Sequence, residues 1–152
     1  MARSTPNEVA DYLLCKAREH GDNLSPLKLQ KLMFYADAWH MVMKGGEQLI
    51  DDHFEAWVHG PVLRSIYFRF NHYRWKPILD DIECPKLGDE TSGFLDEVYQ
   101  VFGGFSGFEL EQLTHQERPW QEARGALPPD AVCTTAISKE TTLQFYRAMS
   151  AG

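Results

Sequence analysis

The sequence predicts a mainly helical protein, one domain over residues 1–152, with a buried central helix and one small β-hairpin. Three observations predict it. Leu24 to Met43 is apolar around most of a helical circumference. Several other segments show helical spacing with start and stop signals. Strand-like alternation is confined to a few residues around Phe54–His59.

The central stretch comes first because the others must pack on it. Ser25 is suited to cap a helix N-terminus, since its hydroxyl can accept from a first-turn amide. Pro26 follows at the first helical position, where its missing N–H costs nothing. Leu24 and Leu29 hold the two places of a hydrophobic staple, and Lys44-Gly45-Gly46 supplies the stop. Leu29, Leu32, Met33, Ala36, Trp39 and Met43 form one apolar stripe. Leu27, Phe34, Tyr35, Ala38 and Val42 fill much of the other side, leaving a narrow polar line at Gln30, Asp37 and Lys44. Such a helix belongs in an interior. Lys28 and Lys31 interrupt it early, so that end is expected to surface. The stretch is too short and too often charged to span a bilayer.

The other elements follow in order. Thr5-Pro6-Asn7-Glu8 is a capping box, followed by Val9, Ala10, Leu13, Leu14 and Ala17 at helical spacing and by Gly21 as a stop. After Gly46, Asp51-Asp52 is expected to turn the chain. Phe54, Ala56 and Val58 then alternate with Glu55, Trp57 and His59 as a strand of a hairpin. His59-Gly60-Pro61-Val62 is expected to turn into a helix begun by Pro61, with Leu63, Ile66, Tyr67 and Phe70 as its apolar stripe. Asp80–Ser92 is acidic and carries Pro85 and Gly88, as a loop would. Phe94 to Phe102 resumes helical spacing. Ser106-Gly107-Phe108-Glu109 is a second capping box, with Phe105 and Leu110 as its staple, opening a short helix that ends near Thr114-His115. Pro119 starts a turn carrying Trp120, and Ser138 caps a last helix with Leu143, Phe145, Tyr146 and Met149.

Composition narrows the function class. With 43% hydrophobic and 24% charged residues the chain is an ordinary globular one. A net charge of -7 disfavours nonspecific polyanion binding by the whole surface. Cys15, Cys84 and Cys133 are an odd set without a Cys-x-x-Cys, which argues against a disulfide framework and a thiolate zinc site. With no apolar leader after Met1, the expected compartment is a reducing cytoplasm.

The chain lacks Gly-x-Ser-x-Gly, His-Glu-x-x-His, a P-loop and a dinucleotide fingerprint. His40 falls on the apolar side of the central helix and is expected to pack there. His59 either ties down the Gly-Pro turn or lines a cleft. His115, after a short helix, suits capping, and the helix dipole would favour its charged form. His53 and His72 suit solvated positions, and Cys15 suits a bland thiol. Asp51-Asp52, Asp80-Asp81 and Asp89-Glu90 suit solvated turns; their spacing does not suggest a metal site, and no cofactor is expected. Ile66–Lys76 interleaves arginine, histidine and lysine with aromatic residues. The mixture fits an amphipathic helix, a nucleic-acid surface or a protein interface, and the last is favoured because arginine and aromatic residues are enriched there.

Three blocks carry a resemblance. Leu24-Ser25-Pro26-Leu27-Lys28-Leu29-Gln30-Lys31-Leu32-Met33-Phe34-Tyr35-Ala36 resembles the opening block of the Panacea domain family. Glu55-Ala56-Trp57-Val58-His59-Gly60-Pro61-Val62 resembles its middle block. Leu113-Thr114-His115, with Pro119-Trp120 and Ala123, resembles its closing block. Order and spacing agree. One departure is Arg64, where many relatives have a proline two residues after the valine of the middle block.

The family includes SocA-like and phage-associated antitoxins of toxin–antitoxin systems. The resemblance implies a mostly helical fold and neutralisation of a cognate toxin protein by direct binding, the toxin being encoded by a neighbouring gene. It implies no catalytic residue. Delivery of the toxin to a protease is a variant of the same role. Rivals of another class are a small hydrolase centred on His59 and a nucleic-acid-binding regulator. Ser25, Pro26, Lys28, Leu29, Lys31, Leu32, Gly60, Pro61, His115, Pro119 and Trp120 are expected to define the fold. Trp57, His59, Arg64, Arg69, His72 and Arg74 are expected to form the partner surface, with the partner a cytoplasmic toxin, not a membrane or a nucleic acid.

Overall fold

A computed structural model describes residues 3–151; Met1, Ala2 and Gly152 lie outside the described residues. The described chain has seven α-helices and one two-stranded antiparallel sheet. The order is α1 (Pro6–Glu19), α2 (Pro26–Met43), β1 (Glu55–Trp57), β2 (Gly60–Val62), α3 (Arg64–Phe70), a 3-10 turn at Asn71–Tyr73, α4 (Asp89–Phe102), α5 (Gly107–His115), α6 (Arg118–Arg124) and α7 (Lys139–Ala151).

The central helix begins where its sequence says it should. Ser25 Oγ accepts from Lys28 N, and Pro26 fills the first turn. Leu29, Leu32, Met33, Phe34, Tyr35, Ala36 and Ala38 are buried, and α2 packs against α1, α3, α4, α5, α7 and β2. Only its last turn emerges: Met43, expected in the stripe, is exposed because no element covers it there. Both capping boxes form as expected. Thr5 and Glu8 exchange bonds at the start of α1, and Ser106 and Glu109 at the start of α5. Ser138 Oγ accepts from Thr141 N at the start of α7.

The polar line of α2 does not face water. Gln30 and Asp37 are buried, and each clamps the backbone of a non-helical segment. Gln30 Nε2 donates to Leu63 O at 3.0 Å while Leu63 N donates to Gln30 Oε1 at 2.9 Å. One carboxylate oxygen of Asp37 accepts from Leu49 N and Ile50 N, both at 3.0 Å, and the other accepts from Lys139 Nζ at the start of α7. A buried amide or carboxylate is tolerated only when its hydrogen bonds are made. Here most of them are made to backbone amides and carbonyls of non-helical chain. Lys31, expected near a surfacing end, is instead wholly buried, with Nζ donating to Pro61 O at 3.1 Å. Lys28 is half-buried and donates to Gly103 O at 2.7 Å, tying α2 to the end of α4.

The hairpin is displaced from its expected register. The turn falls at Val58-His59, not at Asp51-Asp52, and Gly60-Pro61-Val62 is the second strand, pairing Trp57 with Gly60 and Glu55 with Val62. Pro61 therefore does not start a helix; α3 begins at Arg64, after an extended Leu63. The two-stranded sheet gains a third, unlabelled edge, since Ala56 N donates to Thr135 O and Ile137 N to Phe54 O. Leu49-Ile50 pairs with Ser4 instead of with the hairpin. These pairings join segments far apart in sequence, so local alternation could not assign them.

Two further expectations, on the cysteines and on the acidic loop, are corrected. Cys15 on α1 is bridged to Cys84 across 69 residues of sequence, with Cα atoms 5.8 Å apart, while Cys133 is a buried free thiol. An odd cysteine count excludes a fully paired set, not a single bridge, and the cysteine argument for a reducing compartment lapses with it. The acidic loop ends earlier than expected, because α4 starts at Asp89. Asp89 and Glu90 complement the positive N-terminal end of that helix, and Glu90 pairs with Lys44. No helix of the described residues is long and apolar enough to cross a membrane.

Removing the carboxylate of Asp37 should be costly. Asp37→Ala is expected to lower stability by roughly 3–5 kcal/mol, since two amides and a lysine lose a shared partner. Asp37→Asn keeps the oxygen that both amides use and should cost clearly less. Urea denaturation of the two variants checks the ordering.

Candidate functional site

The three motif blocks meet in space around the hairpin. From α2, Lys31 reaches under the hairpin to Pro61 O. From the hairpin, Trp57 O accepts from Trp120 Nε1 of α6 at 2.8 Å. From α5, Glu111 faces His59 Nδ1 at 3.2 Å, and the His115 ring stacks on Trp120 with centroids 4.1 Å apart. Pro119 lies in the first turn of α6, which fixes where Trp120 points. Arg124, which no motif singled out, is buried at the end of α6 with its guanidinium over the Trp120 ring, donating to the carbonyls of Ala56, Pro128 and Ala131.

Gly60 is required at the centre of this junction. Its φ of +105° is unfavourable for a side-chain-bearing residue. A Cβ there would also lie 2.5 Å from Lys31 Cε and 3.0 Å from Thr114 Oγ1. The close approach seats the lysine beneath the hairpin. Burial lowers the Lys31 ammonium from its ordinary 10.5 to about 7, against an opposing pull from Glu111. Burial also lowers His115, despite Glu111 and a backbone hydrogen bond to Val58, so the charged form expected from the helix dipole is disfavoured.

Beside this junction lies a cleft of about 580 Å³. The buried start of its wall comes from α2, at Leu27, Gln30 and Lys31. One lip is the hairpin, with Trp57, Val58 and His59. The other is α3 and the following turn, with Arg64, Tyr67, Asn71, Arg74 and Trp75, and residues 132–134 close one side. Four of the six residues expected at a partner surface, Trp57, His59, Arg64 and Arg74, are thus brought together, and Pro26 and Lys31 of the motif residues join them. Arg69 and His72 are not. Arg69 Nη2 pairs with Asp11 at 2.7 Å and Arg69 Nη1 donates to Asn7, so it fastens α3 to α1 on another side. His72 is exposed and packs against the Tyr73 ring.

Within the cleft the side chains are held. Arg64 makes a two-pronged pair with Glu55, Nε at 3.1 Å and Nη2 at 2.8 Å, and lies 5.8 Å from the centre of the Trp57 ring. Burial works to raise the Glu55 carboxyl, but hydrogen bonds from Arg64 and Trp57 outweigh it and hold the carboxyl below its usual range. His59 meets the edge of Trp75 with centroids 5.1 Å apart. Of the alternatives for His59 the cleft is the one found: it borders the cleft, and its ring is tethered by the Glu111 side chain instead of tying down the backbone of the turn.

The sequence missed Glu111, although it stands four residues before His115 on one helix, a spacing that places both on one face. It also missed Glu55, because pairing with Arg64 depends on the corner between β2 and α3. Tyr67, expected in the core stripe, sits at the cleft with 39% exposure. The 132–134 segment bears no motif and arrives only through its pairing with the hairpin. Among the described residues no group of three or more His, Cys, Asp or Glu is placed to hold a metal ion.

Residues 29–121 match the family described as "Antitoxin SocA-like, Panacea domain". The chain is also similar to a protein of Caulobacter vibrioides (strain NA1000 / CB15N) named "Antitoxin SocA", 30% identical over 125 residues. That alignment covers 74% of this chain and 66% of the relative, just under two-thirds of the relative's length. No solved structure matches.

Two outcomes check the junction. Gly60→Ala should destabilise by at least about 1–3 kcal/mol, from backbone strain and the collision with Lys31. For Lys31 the sign follows from its lowered value. Between about pH 7 and 10.5 the unfolded chain holds a proton that the folded chain does not. Stability therefore rises with pH across that window, and the burial penalty is fully present below it. Relative to Lys31→Met, the wild type should gain a few kcal/mol from pH 7 to pH 10, read from urea unfolding at several pH values.

Proposed function

Because the chain belongs to the SocA-like antitoxin, Panacea domain family, we propose that it is an antitoxin which neutralises a cognate toxin protein by binding it directly. The match over residues 29–121 takes in the opening block from Leu29 on, the whole middle block and the closing block as far as Trp120, and this is the observation that carries the proposal. The fold supports it: the blocks are spent on holding the hairpin against α2, α5 and α6, and they leave a cleft whose lips carry exposed aromatic and cationic side chains. Residues of those kinds dominate the energetics of protein interfaces. The toxin is the product of a neighbouring gene, met in the cytoplasm, and the complex is stoichiometric.

Co-expression with the product of each adjacent gene tests this. One neighbour should arrest growth alone, and the present chain should restore growth and co-purify with it. Rescue at far less than one equivalent, or loss of the toxin from the cell without a complex, would instead favour turnover or delivery to a protease. A toxic neighbour that the chain neither rescues nor binds would count against the proposal.

A further inference from the structure

Resting on that reading, we propose that the cleft between the hairpin and α3 receives a short acidic segment of the partner polypeptide, one in which a carboxylate side chain adjoins an apolar one. The electrostatics of the lining point to this. The whole chain carries 22 acidic and 15 basic residues. Among the described residues no aspartate or glutamate lines the cleft itself; of the cationic side chains that do, Lys31 is wholly buried on Pro61 O, Arg64 is paired with Glu55 and His59 with Glu111 from outside the lining, and Arg74 is exposed at the mouth. An exposed arginine at the mouth of a concave site attracts ligands of the opposite sign. The two arginines supply planar forks suited to carboxylates.

Their placement is not incidental. Arg64 is braced by Glu55, which leaves its remaining N–H donors available beside Trp57. Arg74 is held at φ 57° and ψ -111°, the one non-glycine residue with positive φ among those described. Gly125 takes nearly the same conformation without a side chain to strain. A large residue kept in such a conformation is strained, and strain of this kind clusters at binding sites. The apolar half of the site is equally available: Trp75 is 65% exposed and Val132 86% exposed, both on the rim.

A polypeptide fits these features better than a nucleic acid does. The chain as a whole carries a net charge of -7, so a long polyanion would be repelled where it left the site. A peptide can present a carboxylate to the arginines and an apolar side chain to Trp75, and its backbone can bond the Asn71 amide.

The test uses the full chain and does not involve the toxin. A displayed library of random dodecapeptides is selected on the wild type, and enriched peptides are titrated by fluorescence anisotropy. Selected peptides should be rich in Asp or Glu next to apolar residues, and their binding should weaken with salt. Arg74→Glu and Trp75→Ala should each weaken it by about tenfold or more. Both positions are exposed, so the fold should hold, and unchanged thermal unfolding verifies that. Met43→Ala, an exposed apolar site at the far end of α2, should bind as the wild type does.

The inference is overturned if the library yields no acidic enrichment. It is also overturned if both cleft variants bind as well as the wild type, or if oligo-dT binds the cleft more tightly than the selected peptides. Growth rescue by co-expression is scored separately, so a failed selection beside successful rescue removes this inference and leaves the antitoxin reading. A successful selection with no toxin rescued does the reverse.

Discussion

The structure depends on three polar side chains that α2 carries into the interior. Gln30, Lys31 and Asp37 hold Leu63, Pro61 and Leu49-Ile50 by their backbone groups, and Asp37 also takes Lys139 of α7. The apolar faces of α2 supply the burial that favours collapse, but burial is non-directional. Hydrogen bonds to specific carbonyls and amides decide where the non-helical chain must lie. A short hairpin has little stability of its own. Here it is fixed from beneath by α2, from one edge by residues 135–137, and from the side by Trp120 and Arg124.

That arrangement explains why the family's blocks are distant in sequence yet recur in order. Lys31, Gly60-Pro61 and His115-Trp120 are one physical junction. The glycine makes room for the lysine, the lysine binds the proline carbonyl, and the tryptophan binds the carbonyl of Trp57. Lys31 also brings a cost, since an ammonium without water is held far below its ordinary pKa. A half-buried polar group also joins helices. Glu117 accepts from the hydroxyls of Tyr35 and Tyr146, joining α2 to α7, and burial raises its carboxyl despite those bonds.

The rim of the cleft has a different character from the junction beside it. The junction's residues are committed to internal partners, whereas Tyr67, Trp75 and Val132 expose apolar surface at the mouth. On the proposed reading, a fixed junction and an open rim would let partner specificity change at the rim while the fold is retained. The placement of Arg69 illustrates the distinction. By residue type it resembled Arg64 and Arg74, but its ion pair with Asp11 makes it a tie between helices.

Sequence alone determined what depends on local chemistry. Helix starts at Thr5, Ser25, Ser106 and Ser138 were legible because a capping side chain and its amide lie within one turn. The burial of α2 was legible because its apolar residues cover the circumference. The family blocks were legible as ordered patterns. Tertiary structure decided everything that joins distant residues: the Cys15–Cys84 bridge, the pairing of the hairpin edge with residues 135–137, the burial of Lys31, and the separation of Arg69 from the other arginines. In each case the residue type allows several partners, and only the packing of α1, α2 and the hairpin selects one. The cleft belongs to the second class as well, because its lips come from segments whose approach is set by long-range hydrogen bonds and not by any local pattern.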